Sequence, residues 1–319
     1  MDYPARQQEA PLYEALCAYI KENNVPFHMP GHSQGRAADI KLENLMGAQA
    51  LAADITQVLD MDDIHRPYNY TKRAQELAAE CFGAEKTWFL VNGSTCGNQA
   101  MLLAALEPEQ EVILPRCAHR SLQAGLVFSG AIPRYASSPY DKETGVSLAV
   151  EKEEMERLQA CYPNVKAWAV TGVTPYGACA DIKAISNSAH AHNLPLLVDE
   201  AWGPHFGFHP SLPKSALSLG ADCVVQSAHK LLAALSQASL LHFRGSRLDP
   251  ERINLTLRML QSTSPSYLLL ASLDIARRQL ALHGREDWQK ALESAERIRC
   301  FVRRTAGLRL MEQGAAFDY

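Results

Sequence analysis

The chain has 319 residues, of which 47% are hydrophobic and 21% are charged, so it holds ample material for a globular core. Its formal net charge of −4 argues against a nucleic-acid-binding surface, and its apolar runs are too short to span a membrane. We therefore expect a globular protein that acts on neither nucleic acid nor a membrane.

The N-terminus lacks the basic region and apolar core of a signal peptide. The eight cysteines are scattered and show no CxxC or CxH spacing, so the sequence predicts no zinc site. Scattered cysteines without an export signal indicate reduced thiols, and we predict a cytoplasmic location.

The first predicted element is an amphipathic helix, because apolar residues from Leu12 to Ile20 recur at helical spacing. The next stretch, VPFHMPGHSQGR at 25–36, is rich in Pro, Gly and His and indicates a loop. A second helix is predicted over 71–82, and Gly83 is a natural residue to end it.

Between residues 87 and 243, short apolar strands alternate with helices. Strands are predicted at 87–91, 111–115, 131–136, 165–171, 194–200, 221–227 and 239–243. Helices are predicted at 96–106, from His119 onward, at 151–162 and at 182–193. This alternation predicts an α/β fold whose mostly parallel sheet is flanked by helices on both faces.

Beyond Asp249 the pattern becomes helical, and a new strand then begins near the end of the sequence. Helices are predicted at 251–263, 265–284 and 285–307, and the strand is predicted at 308–312. We expect an N-terminal helix and arm, a large α/β domain, and a helical connection that leads into the start of a C-terminal domain, over residues 1–70, 71–260 and 261–319.

Four polar clusters fall at the ends of predicted strands. They read NGST, PRCAH, DEAW and SAHK, at 92–95, 115–119, 199–202 and 227–230. Ligands of parallel α/β sheets collect at the carboxyl ends of the strands, so these clusters predict one ligand site.

Lys230 is the most unusual member of these clusters, because it stands where the chain enters an apolar run. Its side chain either extends along its own stem to water, or is desolvated and reactive, as a Schiff-base lysine is. The sequence at this position alone leaves both interpretations open.

The other clusters leave similar alternatives. Ser94 and Thr95 precede a helix and act either as a helix cap or as part of an anion cradle. Asp199 ends an apolar strand and needs a partner, which is either a cap or ion pair or the nitrogen of a protonated pyridine ring. His119 and His229 are either structural or cofactor-binding. Taken together, the residues form the parts of a pyridoxal-phosphate site.

At this point the sequence resembles a known family, the Orn/Lys/Arg decarboxylases, which are pyridoxal-phosphate enzymes of the aspartate-aminotransferase fold (fold type I). The resemblance covers almost the whole chain. It rests on PFHMPGH, DITQVLDMDDIHRP, FLVNGSTCGNQAM, CAHRS, VDEAW, SAHK and STSPSYLLLASLD, at 26–32, 54–67, 89–101, 117–121, 198–202, 227–230 and 262–274.

The resemblance implies a role for each candidate residue in binding pyridoxal 5′-phosphate. Lys230 carries the cofactor as a Schiff base, Asp199 pairs with the ring nitrogen, and His119 stacks on the ring. The phosphate is bound by Ser94, Thr95, Ser227 and His229, and Trp202 lies close to the cofactor.

The implied reaction is decarboxylation of lysine, arginine or ornithine to a diamine or agmatine, which feeds polyamine metabolism. Lys230 or His229 returns a proton after carbon dioxide leaves. The distal cation of the substrate needs a carboxylate, for which Asp62, Asp63 and Glu200 are candidates. The implied assembly is a homodimer, in which Thr263 and Ser264 reach the partner's cofactor.

Three features depart from the family pattern. The order Thr-Pro-Tyr stands at 174–176 where Pro-Thr-Tyr is expected, and Gln57 replaces an acidic residue. Little of the family's C-terminal domain is present before Tyr319. Two alternatives therefore stay open: another pyridoxal-phosphate reaction, such as aminotransfer or elimination, and a non-catalytic dimer partner.

Overall fold

The structure, a computed structural model, describes residues 5–58 and 61–311. Nine strands lie within these ranges: β1 Lys86–Leu90, β2 Glu111–Pro115, β3 Ile132–Ala136, β4 Tyr140–Asp141, β5 Val146–Ser147, β6 Ala167–Thr171, β7 Leu196–Asp199, β8 Cys223–Gln226 and β9 Ser239–Phe243. Seven of them form one sheet in the order β1-β9-β8-β7-β6-β2-β3, and β4 pairs with β5 in a small hairpin.

Eleven helices accompany these strands in the part of the chain that the structure describes. They are α1 Pro11–Lys21, α2 Ile40–Met46, α3 Ala48–Ala53, α4 Tyr70–Phe82, α5 Gly93–Ala105, α6 Arg120–Ser129, α7 Lys152–Cys161, α8 Ile182–Ala191, α9 Ala228–Leu231, α10 Pro250–Leu260 and α11 Tyr267–Arg304. Two short 3₁₀ turns lie at Ala5–Gln8 and Ser33–Gly35.

The large sheet is mostly parallel, as the sequence predicts. Only β9 runs against its neighbours, since it pairs antiparallel with both β1 and β8 while the remaining pairs are parallel. Because β1 and β8 both oppose β9, β1 points the same way as the parallel strands. The carboxyl ends of β1, β2, β7 and β8 therefore meet at one edge, which brings the four polar clusters together.

The sheet is buried on both faces, which explains its nearly continuous apolar strands. Alternate residues of each strand pack into separate cores. Helices α5, α6 and α10 cover one face. The opposite face is covered by α7 and α8 near β6 and β7, and by α1, α4 and α11 near β1 and β9.

The prediction for residues 265–311 is wrong in two respects, one about a helix and one about a strand. One helix of 38 residues, α11, replaces the two helices predicted to meet at Gly284. Gly284 stays helical because one glycine costs a helix only about 1 kcal/mol, which the packing of α11 against α1 and α4 offsets. Residues 308–311 form no strand, and residue 312 of that prediction lies outside the described residues.

Candidate functional site

A cavity of about 370 Å³ opens at the carboxyl edge of the sheet. Its volume lies within the range of pockets that hold small ligands. The walls come from the ends of several strands and from the β4–β5 hairpin. Five residues singled out from the sequence line it: Ser94, His119, Asp199, Trp202 and Lys230.

Lys230 lies on the short helix α9, directly after β8, with its side chain partly buried. Its Nζ atom lies 4.2 Å from the centre of the Trp202 ring, within the range of a cation–π contact. Burial lowers the pKa of the Lys230 amine, while the nearby charge of Asp199 opposes that shift. Partial desolvation makes this amine a better nucleophile than a surface lysine.

Asp199 ends β7 and is only 5% exposed. Its Oδ1 atom accepts a hydrogen bond of 3.0 Å from the backbone N–H of Ala201, and its Oδ2 atom accepts one of 2.8 Å from the Nδ2 of Asn98. A buried carboxylate that accepts these bonds and lines a cavity is suited to pair with a cationic ring nitrogen.

His119 is the N-cap residue of α6 and reaches the cavity from the end of β2. Its Nδ1 atom lies 2.7 Å from the Oγ of Ser121 and also accepts a bond of 3.3 Å from the backbone N–H of that residue. These two contacts hold the imidazole in one orientation at the cavity wall.

The start of α5 forms a polar corner beside the cavity. Gly93 has a φ of +74°, a backbone conformation that residues with a side chain rarely adopt. Its N–H donates a hydrogen bond to the carbonyl of Gln237. The hydroxyls of Ser94 and Ser227 lie 2.8 Å apart, so two hydroxyls and a helix N-terminus converge. Ser227 is fully buried behind Ser94.

Of the four residues assigned to this corner only Ser94 lines the cavity, since Ser227 lies behind it and Thr95 and His229 lie outside the lining. Thr95 is exposed, and the Nδ1 of His229 bonds to the carbonyl of Ala238 at 3.0 Å. That bond fixes the imidazole of His229 beside Lys230 on α9. A contact between His229 and a ligand stays a prediction.

The acids considered for the substrate's distal cation all lie outside the cavity lining. Glu200 is 2% exposed and bonds to the N–H of Ala216 and the amide of Gln226. Asp62 is fully buried and accepts backbone bonds that fix the chain before α4, from residues 63, 68, 69, 71 and 72.

The third acid, Asp63, accepts a bond of 2.9 Å from the amide of Gln57. Gln57 therefore forms an amide–carboxylate hydrogen bond where an acidic residue would repel Asp63. Nearby, the loop that holds Thr263 and Ser264 is exposed and is tied to the start of α5, because the N–H of Ser262 bonds to Asn92.

Cys117, Ser138 and residues 145–150 line the cavity but were not assigned from the sequence. Asn98 and Ser121 were not assigned either; they are buried behind the lining and bond to Asp199 and His119. The sequence holds a weak signal for Asn98, because it lies one helical turn after Ser94 and so on the same face of the helix. The unexpected Thr-Pro-Tyr order at 174–176 also faces the cavity.

Among residues 5–58 and 61–311, no three His, Cys, Asp or Glu side chains come together as metal ligands. Within the same ranges, no helix is both long enough and apolar enough to cross a bilayer.

Comparison of the sequence with known proteins gives two findings. The model of the family described as Orn/Lys/Arg decarboxylase, major domain, matches residues 10–317. An arginine decarboxylase of Bacillus subtilis is 38% identical over 318 residues, which cover 98% of this chain and 65% of that protein. The chain thus spans about two thirds of the length of this relative.

Solved structures give the fold. Lysine decarboxylase A from Pseudomonas aeruginosa superposes with a TM-score of 0.82 at 27% identity, over 93% of this chain and 43% of that one. A ureidoglycine-glyoxylate aminotransferase from Bacillus subtilis gives a TM-score of 0.61 at 16% identity, over 78% of this chain and 67% of that one. The fold is therefore that of the large domain of fold type I pyridoxal-phosphate enzymes, as predicted.

Proposed function

The chain belongs to the Orn/Lys/Arg decarboxylase family, and from this membership and the geometry of the cavity we propose that it binds pyridoxal 5′-phosphate on Lys230 and decarboxylates a basic amino acid. The observation that carries the proposal is the convergence of Lys230, Asp199 and Ser94 on one cavity. The proposed substrate is lysine, arginine or ornithine, and the product is a diamine or agmatine that enters polyamine metabolism.

The residues present fit the cofactor. The hydroxyls of Ser94 and Ser227 and the N-terminus of α5 offer an anion corner for the phosphate. The buried carboxylate of Asp199 suits a protonated ring nitrogen, and His119 offers a flat face at the cavity wall. When bound, the cofactor supplies an electron sink for the pair that remains after carbon dioxide leaves.

The chain's own residues hold the charges that this chemistry needs. Asp199 holds a negative charge in a buried setting, where an electrostatic interaction is stronger than in water. Lys230 gains nucleophilic character from burial, and its Nζ or the imidazole of His229 is proposed to return the proton. We propose that Trp202 excludes water beside Nζ, and that Thr95 and His229 complete the phosphate site.

A second copy of the chain is proposed to complete the substrate side. Asp199 is the only carboxylate among the described residues that line the cavity, so the acid for a distal cation must come from elsewhere. Large apolar side chains of the N-terminal arm are exposed, among them Phe27 at 97% and Leu45 at 79%, which favours an interface there. We propose a cytoplasmic homodimer in which Thr263 and Ser264 reach the partner's cofactor.

We also propose the division of the chain into an N-terminal helix and arm over 1–70, a large α/β domain over 71–260, and a helical connection with the start of a C-terminal domain over 261–319. The large sheet lies within 86–243, inside the second part.

The function is tested in two steps with the purified chain. Added pyridoxal phosphate should give a visible absorbance band that Lys230→Ala abolishes and that Lys183→Ala, a change at an exposed lysine, preserves. Carbon dioxide release is then measured with lysine, arginine and ornithine separately. Absence of the band refutes cofactor binding at Lys230. A band without carbon dioxide from any of the three refutes decarboxylation and favours another reaction or a non-catalytic role.

A further inference from the structure

Asn98 is a buried polar residue that the proposed function does not yet use. It lies on α5 four residues after Ser94 and is 1% exposed. Its Nδ2 atom donates to the Oδ2 of Asp199 at 2.8 Å and to the Oγ of Ser121 at 2.9 Å. Its Oδ1 atom is buried without a hydrogen-bond partner among the described residues.

The orientation of this amide follows from its neighbours. If the amide were turned over, the Oδ1 of Asn98 would face the carboxylate oxygen of Asp199 at the same short distance, and two acceptors would repel each other. Both Nδ2 protons are therefore used, one for Asp199 and one for Ser121. This orientation leaves the Oδ1 atom without a hydrogen-bond partner among the described residues.

The direction of the bonds continues to His119. Since the Ser121 hydroxyl accepts from Asn98, its own proton is free to point at the Nδ1 of His119, 2.7 Å away. The backbone N–H of Ser121 points at the same nitrogen. The Nδ1 atom of His119 thus accepts from both donors of Ser121. The ring proton of the neutral imidazole therefore lies on Nε2.

We propose that Asn98 is a positioning residue, which fixes the carboxylate of Asp199 and the imidazole of His119 relative to each other from behind the cavity wall. This inference rests on the proposed function, because these two groups are the ones assigned to the nitrogen and the face of the cofactor ring. Asn98 bonds directly to Asp199 and, through the hydroxyl of Ser121, indirectly to His119. The Asn98 side chain therefore connects the two groups proposed to contact the cofactor ring.

The backbone of α5 is held close enough for this role. A Cβ atom on Gly97 would lie 2.5 Å from the Cγ2 of Val225 and 2.8 Å from the Cδ1 of Leu90, so only glycine allows this approach. The close packing leaves Asn98 little freedom to follow a displaced Asp199. A rigid support of this kind is what keeps ligand-contacting groups in place.

The test measures how firmly the cofactor is bound and oriented, in addition to activity. Asn98→Leu keeps a similar volume and removes both donors. We expect the dissociation constant for pyridoxal phosphate to rise about ten- to a hundredfold, the range for one lost hydrogen bond to a charged group. The visible circular dichroism per bound cofactor should also fall, because that signal depends on a ring held in one orientation.

Two further variants grade the effect. Ser121→Ala breaks only the link to His119 and should give a smaller loss in both measurements. Asn98→Ser is shorter, so it folds more readily than a buried leucine but no longer reaches Asp199, and it should weaken binding at least about fivefold. If Asn98→Leu does not fold, Asn98→Ser decides.

The matched control is Gln159→Leu, which removes a buried amide that bonds to the indole of Trp168 away from the cavity. It should lower the midpoint of thermal unfolding but leave cofactor affinity and circular dichroism at wild-type values. Folded Asn98 variants with wild-type affinity and circular dichroism overturn this inference alone. A wild-type chain that binds no cofactor refutes the proposed function instead.

Discussion

Glu200 is a buried acid that makes the stability of the chain depend on pH. It follows Asp199 directly but points to the opposite face of the sheet, where it accepts bonds from the Ala216 N–H at 2.8 Å and the Gln226 amide at 2.7 Å. Burial raises the pKa of Glu200 to about 8, and the charge of Asp199 adds to the rise, while the two hydrogen bonds oppose it.

The sign of the effect follows from proton counting. Between about pH 4.5, where an unfolded glutamate loses its proton, and pH 8, the folded chain holds a proton that the unfolded chain has released. Folding is then favoured by low pH, and this contribution is lost as the pH rises through 8. With these two pKa values, the contribution falls by about 3 kcal/mol between pH 5.5 and pH 8.5.

Glu200→Gln removes this titration while keeping the shape of the side chain. The free energy of unfolding is measured by urea denaturation at half-unit steps from pH 5.5 to 8.5, at one protein concentration. As the pH rises across this range, the free energy of unfolding of the wild type should fall by about 3 kcal/mol relative to that of Glu200→Gln. Glu153→Gln makes the same change at a side chain that is 74% exposed and serves as the control. A difference that stays constant with pH would refute the reasoning.

Three further changes are expected to have measurable effects. Arg277→Met, which breaks a fully buried pair with Asp274, should cost about 3–5 kcal/mol in urea denaturation, and the same change at the more exposed Arg278 should cost much less. Gly97→Ala should cost about 1–3 kcal/mol through its overlap with Val225 and should also weaken cofactor binding; unchanged stability would contradict the close packing. Asp199→Asn should retain some cofactor but lower the rate of carbon dioxide release at least about a hundredfold, and an unimpaired variant would contradict its role.

The sequence predicts the sheet well because its strands carry their own signal. A strand buried on both faces is mostly apolar along its length, and short apolar runs between helices, such as LLVD at β7 and CVVQ at β8, favour such strands. The direction of β9 is not encoded in this way. Its SLLHF run would fit either direction, and only pairing with both β1 and β8 settles it.

The sequence brings out as candidates those residues that are unusual at their own positions, and the structure places five of them around one cavity. Lys230 and Asp199 are recognisable because a charged group at the end of an apolar strand needs a reason to be there. The role proposed for Asn98 and Ser121 is hard to predict from sequence because it depends on the direction of their hydrogen bonds, which form only when α5 and α6 pack together. The helix break expected at Gly284 is wrong for a similar reason, since tertiary packing outweighs a local preference.

The adjacent acids Asp199 and Glu200 differ through the face of the sheet on which each lies. Asp199 points toward α5, where Asn98 and the Ala201 N–H bond to it and the cavity is open to a ligand. Glu200 points to the other face, where Gln226 continues to a buried His242 whose pKa is lowered by burial to about 3. Below about pH 8 Glu200 is protonated and adds no second negative charge beside Asp199. A cationic ring in the cavity would then interact with the charge of Asp199. Because successive residues of a strand face opposite sides, the two hydrogen-bond systems stay separate although they start one residue apart.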